Sequence, residues 1–102
     1  MTPVRSPRYL AHVREQPCCC ASFARARCSG EVVAHHHGRR GGGGTSIKTS
    51  DLHTVPLCDH HHNAEFHKTG SVEPFGRMDT ELLFARAMVD CLTLALQSGL
   101  KL

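Results

Sequence analysis

Tryptophan is absent from this 102-residue chain, tyrosine occurs once and phenylalanine four times. An aromatic-rich core is therefore excluded, and the stretch before residue 79 has few large apolar side chains in any periodic order. There is no run of eighteen apolar residues, which excludes an ordinary transmembrane helix. An apolar leader is missing too, because charges are scattered through Met1–Pro17. We accordingly expect no secretory signal, no membrane partner and a cytoplasmic location. The net charge of +3 is compatible with a phosphate-bearing partner but decides nothing alone.

Metal-ligating side chains are what the chain has in quantity: six cysteines and nine histidines. In a reducing compartment thiols stay reduced, so cysteines mixed with histidines read as metal ligands before disulfides. The length fits one domain. A domain of this size buries only about two-thirds of its unfolded surface, and small domains often make up the shortfall with a metal.

Along the chain, Met1–Pro7 reads as a loose arm and Arg8–Glu15 as a short helix, with Tyr9, Leu10 and Val13 inward and Pro17 as its stop. Cys18–Gly30 is irregular. Glu31–His37 opens with β-branched residues and predicts a strand. Gly38–Thr45 (GRRGGGGT) is a basic glycine loop. Leu52–Cys58 predicts a second strand, at an edge because it contains Pro56, and Asp59–Lys68 a helix. Asp79–Gln97 gives the clearest helix, capped by Asp79 or Thr80. Its expected core face is Leu82, Leu83, Ala85, Met88, Val89, Leu92 and Leu96. The organisation expected is an arm and short helix (1–17), a core (18–68), and a loop with a packing helix (69–102). Two strands followed by a helix, with cysteines at both ends, predict an α+β fold. Its plan would be a zinc-stapled ββα-metal, treble-clef-like unit with flanking N- and C-terminal helices.

Zinc takes four nitrogen or sulfur ligands in a tetrahedron, commonly as two pairs. Cys58 and His61 form one pair, C-x-x-H at a helix start. The other comes from the upstream cysteines, with Cys20 and Cys28 as the expected pair and Cys18 or Cys19 as alternates to Cys20. Three adjacent cysteines cannot all aim at one ion. Structural zinc contributes on the order of 10 kcal/mol to such folds. Cys91 reads as a buried apolar residue of the last helix.

The histidines suggest a second centre. In a regular strand His35 and His37 share a face and His36 opposes them. His62 and His67 follow the second strand, and Asp51 lies between the two groups. Phosphodiester hydrolysis needs a base, a cation and a grip on the phosphate. Histidine suits the base, since its unperturbed pKa is about 6.5, and imidazoles also bind divalent ions. Arg39, Arg40 and Lys48 can contact backbone phosphates, and the loop glycines permit close approach. His12, His53 and His60 read as ordinary solvated residues. On an α-helix His62 and His67, five apart, diverge by about 140°, which leaves Asn63 as a reserve ligand.

The patterns C-C-x(8)-C, A-H-H-H-G-R-R-G and K-x-x-D-x-x-x-V-P-L-C-x-x-H-H-x(4)-H together resemble the small phage and prophage HNH (His-Me finger) nucleases. That group includes relatives of the recombination-enhancing nuclease Ref. The resemblance runs from about Tyr9 to Lys68. It implies a structural Zn2+, a catalytic Mg2+ or Mn2+, and endonuclease or nicking activity on DNA that leaves a 5′-phosphate. It makes His35 a ligand of the catalytic ion and His36 the general base. Asp51 would orient the base or touch the metal, His61 would bind zinc, and His62 and His67 would bind the catalytic ion. A recombinase or another phage DNA-processing protein is the implied partner. A non-catalytic zinc module that binds nucleic acid is the alternative. A toxin or interaction protein that docks a partner through its last helix is a further rival.

Overall fold

A computed structural model describes residues 3–22, 27–37, 49–72 and 75–102. Helix α1 spans Pro7–Arg14, strand β1 Val32–His36 and strand β2 Thr54–Cys58. A π-helical segment, π1 (His60–Phe66), runs into the short helix α2 (His67–Thr69), and helix α3 covers Arg77–Gln97. Among the described residues the fold is thus mixed: helices around one two-stranded antiparallel sheet.

Helix α1 begins because Pro7 pre-sets the first turn and Ser6 caps it, its hydroxyl accepting from the Tyr9 amide at 3.1 Å. It buries Tyr9 and Val13 against Cys91 and Ala95 of α3. The segment before it is no loose arm. Val4 exchanges hydrogen bonds with Ser50 and Asp51, and the Ser6 amide donates to Asp51 Oδ2 at 2.7 Å. A 46-residue separation between Val4 and Ser50 hid that anchoring from local patterning.

The strands pair from Val32 opposite Cys58 to His36 opposite Thr54. All five residues of β2 are buried. Pro56, opposite Ala34, can donate nothing, but its carbonyl accepts from the Cys19 amide at 2.8 Å. That bond ties the cysteine loop to the outer edge of β2. Gly30, at φ +81°, lies so close to π1 that a Cβ there would stand 2.5 Å from Asp59 Cβ. Only glycine meets both demands.

Helix α3 starts two residues earlier than the expected cap, with Gly76 in the capping position. Thr80 is instead fully buried, its hydroxyl accepting from the Val72 amide at 3.1 Å. The inward face also differs from expectation. Thr80, Phe84, Ala87, Cys91 and Ala95 are the buried residues, whereas Leu82, Val89 and Leu96 are 65%, 60% and 66% exposed. Small side chains let α3 settle closely on β2 and α1, and Phe84 fills the wider gap beside Val55, Leu57 and Val72. Of the expected face, Leu83, Met88 and Leu92 do pack, partly buried, against the core. Cys91 is buried as expected. Among the described residues no helix is long and apolar enough to cross a membrane.

Candidate functional site

Among the described residues three groups could hold a metal ion; His60, His61 and Glu65 form one that shares His61 with a second, and the two separate groups flank the start of π1. The first is Cys18, Cys28, Cys58 and His61, whose ligand atoms all lie within 4.8 Å of one another. His61 Nδ1 is 3.1 Å from Cys58 Sγ and 3.7 Å from both Cys18 Sγ and Cys28 Sγ. One ring nitrogen carries one proton or one lone pair, so it cannot hydrogen-bond to three sulfurs at once. A tetrahedral ion with zinc-type bond lengths would set nitrogen and sulfur about 3.6 Å apart, which fits. The four residues could hold a metal such as zinc.

Cys18, and not Cys20, enters this set. The Ala21 amide donates to the Cys18 carbonyl at 2.8 Å, closing a tight turn in which the Cys18 thiol alone joins the ligand group while the Cys19 and Cys20 thiols lie beside it. Cys20 is fully buried in the core with Val55, Leu57 and Phe84, and Cys19 packs against that core. Both still bear on the site. Hydrogen bonds from the Cys19 and Cys20 thiols hold the Cys18 thiol well below its ordinary value. Cys28 is pushed up to about 12 by desolvation and by the charge of Cys18. A cation would relieve such crowding of negative charge.

Behind His61 stands Glu65, its Oε1 3.9 Å from His61 Nε2 and its Oε2 3.0 Å from His60 Nε2. His60 is therefore paired and partly buried, not simply solvated. A carboxylate behind a ligating imidazole helps fix its ring and tautomer. Sequence reasoning missed Glu65, although its i,i+4 spacing from His61 was visible.

The second group is His35, His62 and His67. His62 Nε2 is 3.1 Å from His35 Nδ1 and 3.0 Å from His67 Nε2. One nitrogen cannot satisfy both neighbours with its single proton or lone pair, and a cation would satisfy all three. His35 is buried, and its Nε2 has no hydrogen-bond partner among the described residues. Burial, followed by the neighbouring His62, His37, His67 and His36, lowers its pKa to about 3. Burial and His67 lower that of His62 as well. Both rings thus favour the neutral form that ligates a metal.

The convergence of His62 and His67 corrects the α-helical expectation. In a π-helix the backbone bonds run from i to i+5, so residues five apart come into line. Their ring centroids are 4.4 Å apart. Asn63, the reserve ligand, turns away and donates to Asp59 Oδ1 at 2.7 Å.

His36 lies outside both groups. Its Nε2 is 2.9 Å from Asp51 Oδ1, and its side chain is 40% exposed. Asp51 is buried and also accepts from the Ser6 amide at 2.7 Å and from Arg5 at 3.2 Å. Desolvation raises the Asp51 pKa, but the bonds from His36, the Ser6 amide and Arg5 outweigh it and leave the group lowered. No sequence signal linked Arg5 or Ser6 to Asp51, because they stand 46 and 45 positions apart. His37 returns to the face of His35, packs edge-on against Phe84 and pairs with Glu81 Oε2 at 2.7 Å. His12, expected to be solvated, contacts the Cys91 carbonyl at 3.0 Å, while His53 is exposed. The three expected phosphate contacts, Arg39, Arg40 and Lys48, lie outside the described residues.

No curated protein and no solved structure matches the chain. Residues 2–84 match the family described as "Protein of unknown function (DUF968)", and the chain belongs to that family.

Proposed function

We propose that this protein is a metal-dependent DNA endonuclease or nickase of the HNH type, built on a zinc-stapled ββα-metal unit of β1, β2 and π1. One observation carries the reading: two distinct ligand groups sit side by side, with a carboxylate-held histidine next in sequence to one of them. A zinc module that only binds nucleic acid would need the first group alone.

In this reading Cys18, Cys28, Cys58 and His61 hold a structural Zn2+. His35, His62 and His67 hold the catalytic ion. When bound, that ion supplies charge stabilisation at the phosphate and the leaving oxygen. Three imidazoles without a carboxylate suit zinc, nickel or copper ions better than either Mg2+ or Mn2+, so Zn2+ and Ni2+ belong in the test beside the two ions expected from the resemblance.

His36 is the base. With Nε2–H directed at Asp51, Nδ1 is the unprotonated nitrogen, and it takes the proton from the attacking water. Asp51 keeps that tautomer and stabilises the imidazolium that forms, as a carboxylate does behind any catalytic histidine. Arg5 and the Ser6 amide immobilise Asp51 in turn. Arg39, Arg40 and Lys48 are the proposed backbone-phosphate contacts. DNA is the substrate, a recombinase or similar DNA-processing protein is the proposed partner, and the location is cytoplasmic.

A plasmid-nicking assay on metal-defined protein tests this, with Mg2+, Mn2+, Ni2+ or Zn2+ added and His36→Ala alongside. Cation-dependent nicking should vanish in a folded, zinc-loaded His36→Ala protein. Full activity in that variant would remove His36 from the role of base. Retained DNA binding without cleavage under every cation would favour the non-catalytic module.

A further inference from the structure

Helix α3 has a second regular face that the fold leaves uncovered. Met78, Leu82, Ala85, Val89, Leu92 and Leu96 recur at steps of four and three residues, the spacing of a two-helix seam. Met78 is 77% exposed, Leu82, Val89 and Leu96 are exposed as given above, and Ala85 is exposed too. Leu92 is half-buried at the edge of the Tyr9 cluster. The residues that bind α3 to the rest of the molecule, Thr80, Phe84, Ala87 and Cys91, occupy the opposite side of the helix. A partner on the stripe would therefore meet the domain body only along one border, where the Tyr9 cluster flanks Leu92 and His37 flanks Glu81. The core already holds the helix, so pairing would not have to order it.

We propose that this stripe pairs in parallel with the same stripe of a second copy of the chain. Self-pairing is favoured because a parallel two-fold brings each seam residue against itself. Leu82, Val89 and Leu96 then form one set of layers, and Met78, Ala85 and Leu92 the alternate set. The β-branched Val89 and the leucine at 92 occupy the positions that favour two-stranded parallel pairs. Charge supplies the direction. Glu81 precedes the seam residue Leu82 and Arg86 follows Ala85, so in a parallel pair Glu81 of one copy faces Arg86 of the other, twice over. Both side chains are well exposed, at 55% and 79%, and each would exchange or share a surface partner of its own copy, His37 for Glu81 and Asp90 for Arg86. An antiparallel pair using the same layers would instead set Arg86 against Arg86. This pairing does not depend on the nuclease reading.

The test is the mass of the full, zinc-loaded chain in solution, followed by sedimentation across a wide concentration range. The expected result is a shift from 11.2 kDa to twice that value as concentration rises. Val89→Lys changes an exposed side chain, so it should abolish the shift while zinc content and melting temperature stay near wild type. Arg86→Ala should weaken association, and Glu81→Arg should weaken it further. Glu81→Arg combined with Arg86→Glu should restore it. A wild-type monomer at every concentration overturns the proposal, as does a dimer indifferent to Val89→Lys. Association strengthened by Arg86→Ala would overturn the parallel arrangement.

Discussion

The carboxylate of Asp51 lies 2.9 Å from Nε2 of His36, across the mouth of a hairpin whose strands end at His36 and begin at Thr54. The pairing leaves the other ring nitrogen of His36 as the basic one. Asp51→Asn keeps the shape but loses the charge that fixes this tautomer. We expect nicking to fall by on the order of 10²–10⁴, mainly in kcat, with zinc content unchanged. Single-turnover nicking at saturating DNA checks it, and wild-type rates in Asp51→Asn would break the proposed dyad.

The assignment of Cys18 over Cys20 is directly measurable. Cys18→Ala removes a ligand and should cost several kcal/mol of the metal-linked folding energy, which for whole zinc sites is on the order of 10 kcal/mol. Cys20→Ala only trims a buried side chain and should cost about 1–2 kcal/mol, with one equivalent of zinc retained. Metal analysis and thermal melts of both variants separate the outcomes. Loss of zinc in Cys20→Ala would reverse the assignment.

His67 and Asn63 offer a test of π1. If the i→i+5 geometry places His67 with His62, His67→Ala should weaken binding of a Co2+ or Ni2+ probe at the histidine site by on the order of 10-fold or more. Asn63→Ala should leave it nearly unchanged. The reverse pattern would indicate ordinary α-helical geometry in solution.

Acid should destabilise the protein through His35 when the histidine site is empty and zinc fills the cysteine site. Its folded-state pKa of about 3 lies below the ordinary 6.5. The unfolded chain therefore takes up the proton first as pH falls. The contribution is complete above pH 6.5 and is lost progressively towards pH 3, a loss on the order of a few kcal/mol. Urea melts against pH of protein loaded with one equivalent of zinc should show that slope, flattened in His35→Leu. An unchanged slope in a folded His35→Leu protein would contradict it.

Gly30→Ala and Gly99→Ala share a positive φ, +81° and +77°, but only Gly30 faces a neighbour, Asp59 Cβ. We expect Gly99→Ala to cost about 1 kcal/mol for the backbone alone. Gly30→Ala should cost about 2–4 kcal/mol, since the start of π1 must also move. Equal melting temperatures for the two variants would show that the Gly30–Asp59 approach relaxes freely.

Much of this was legible before any fold was known, because it is local. The β-branched run before His35 predicts β1, the apolar run ending at Cys58 predicts β2, and the 79–97 periodicity predicts α3, each within a few residues. C-x-x-H at Cys58 and His61 proposes a ligand pair because one helical turn brings those residues together. The histidine triplet on a strand separates His36 from His35 and His37 by simple alternation. Composition alone made a metal the expected substitute for a large core.

Tertiary structure decided whatever depends on residues distant in sequence. Which of three adjacent cysteines ligates depends on how the loop is laid along β2, through the Cys19 amide on Pro56 and the Cys18–Ala21 turn, and sequence spacing treats the three nearly alike. The partners of Asp51 come from an arm some 45 residues away. His62 and His67 align only because the backbone adopts i→i+5 bonding, which no local propensity announces. The inward face of α3 was misread for a related reason. Amphipathic patterning ranks faces by side-chain hydrophobicity, but close packing against β2 and α1 centred the buried face on Phe84, Ala87, Cys91 and Ala95, kept Leu83, Met88 and Leu92 at its margins and left Leu82, Val89 and Leu96 outside.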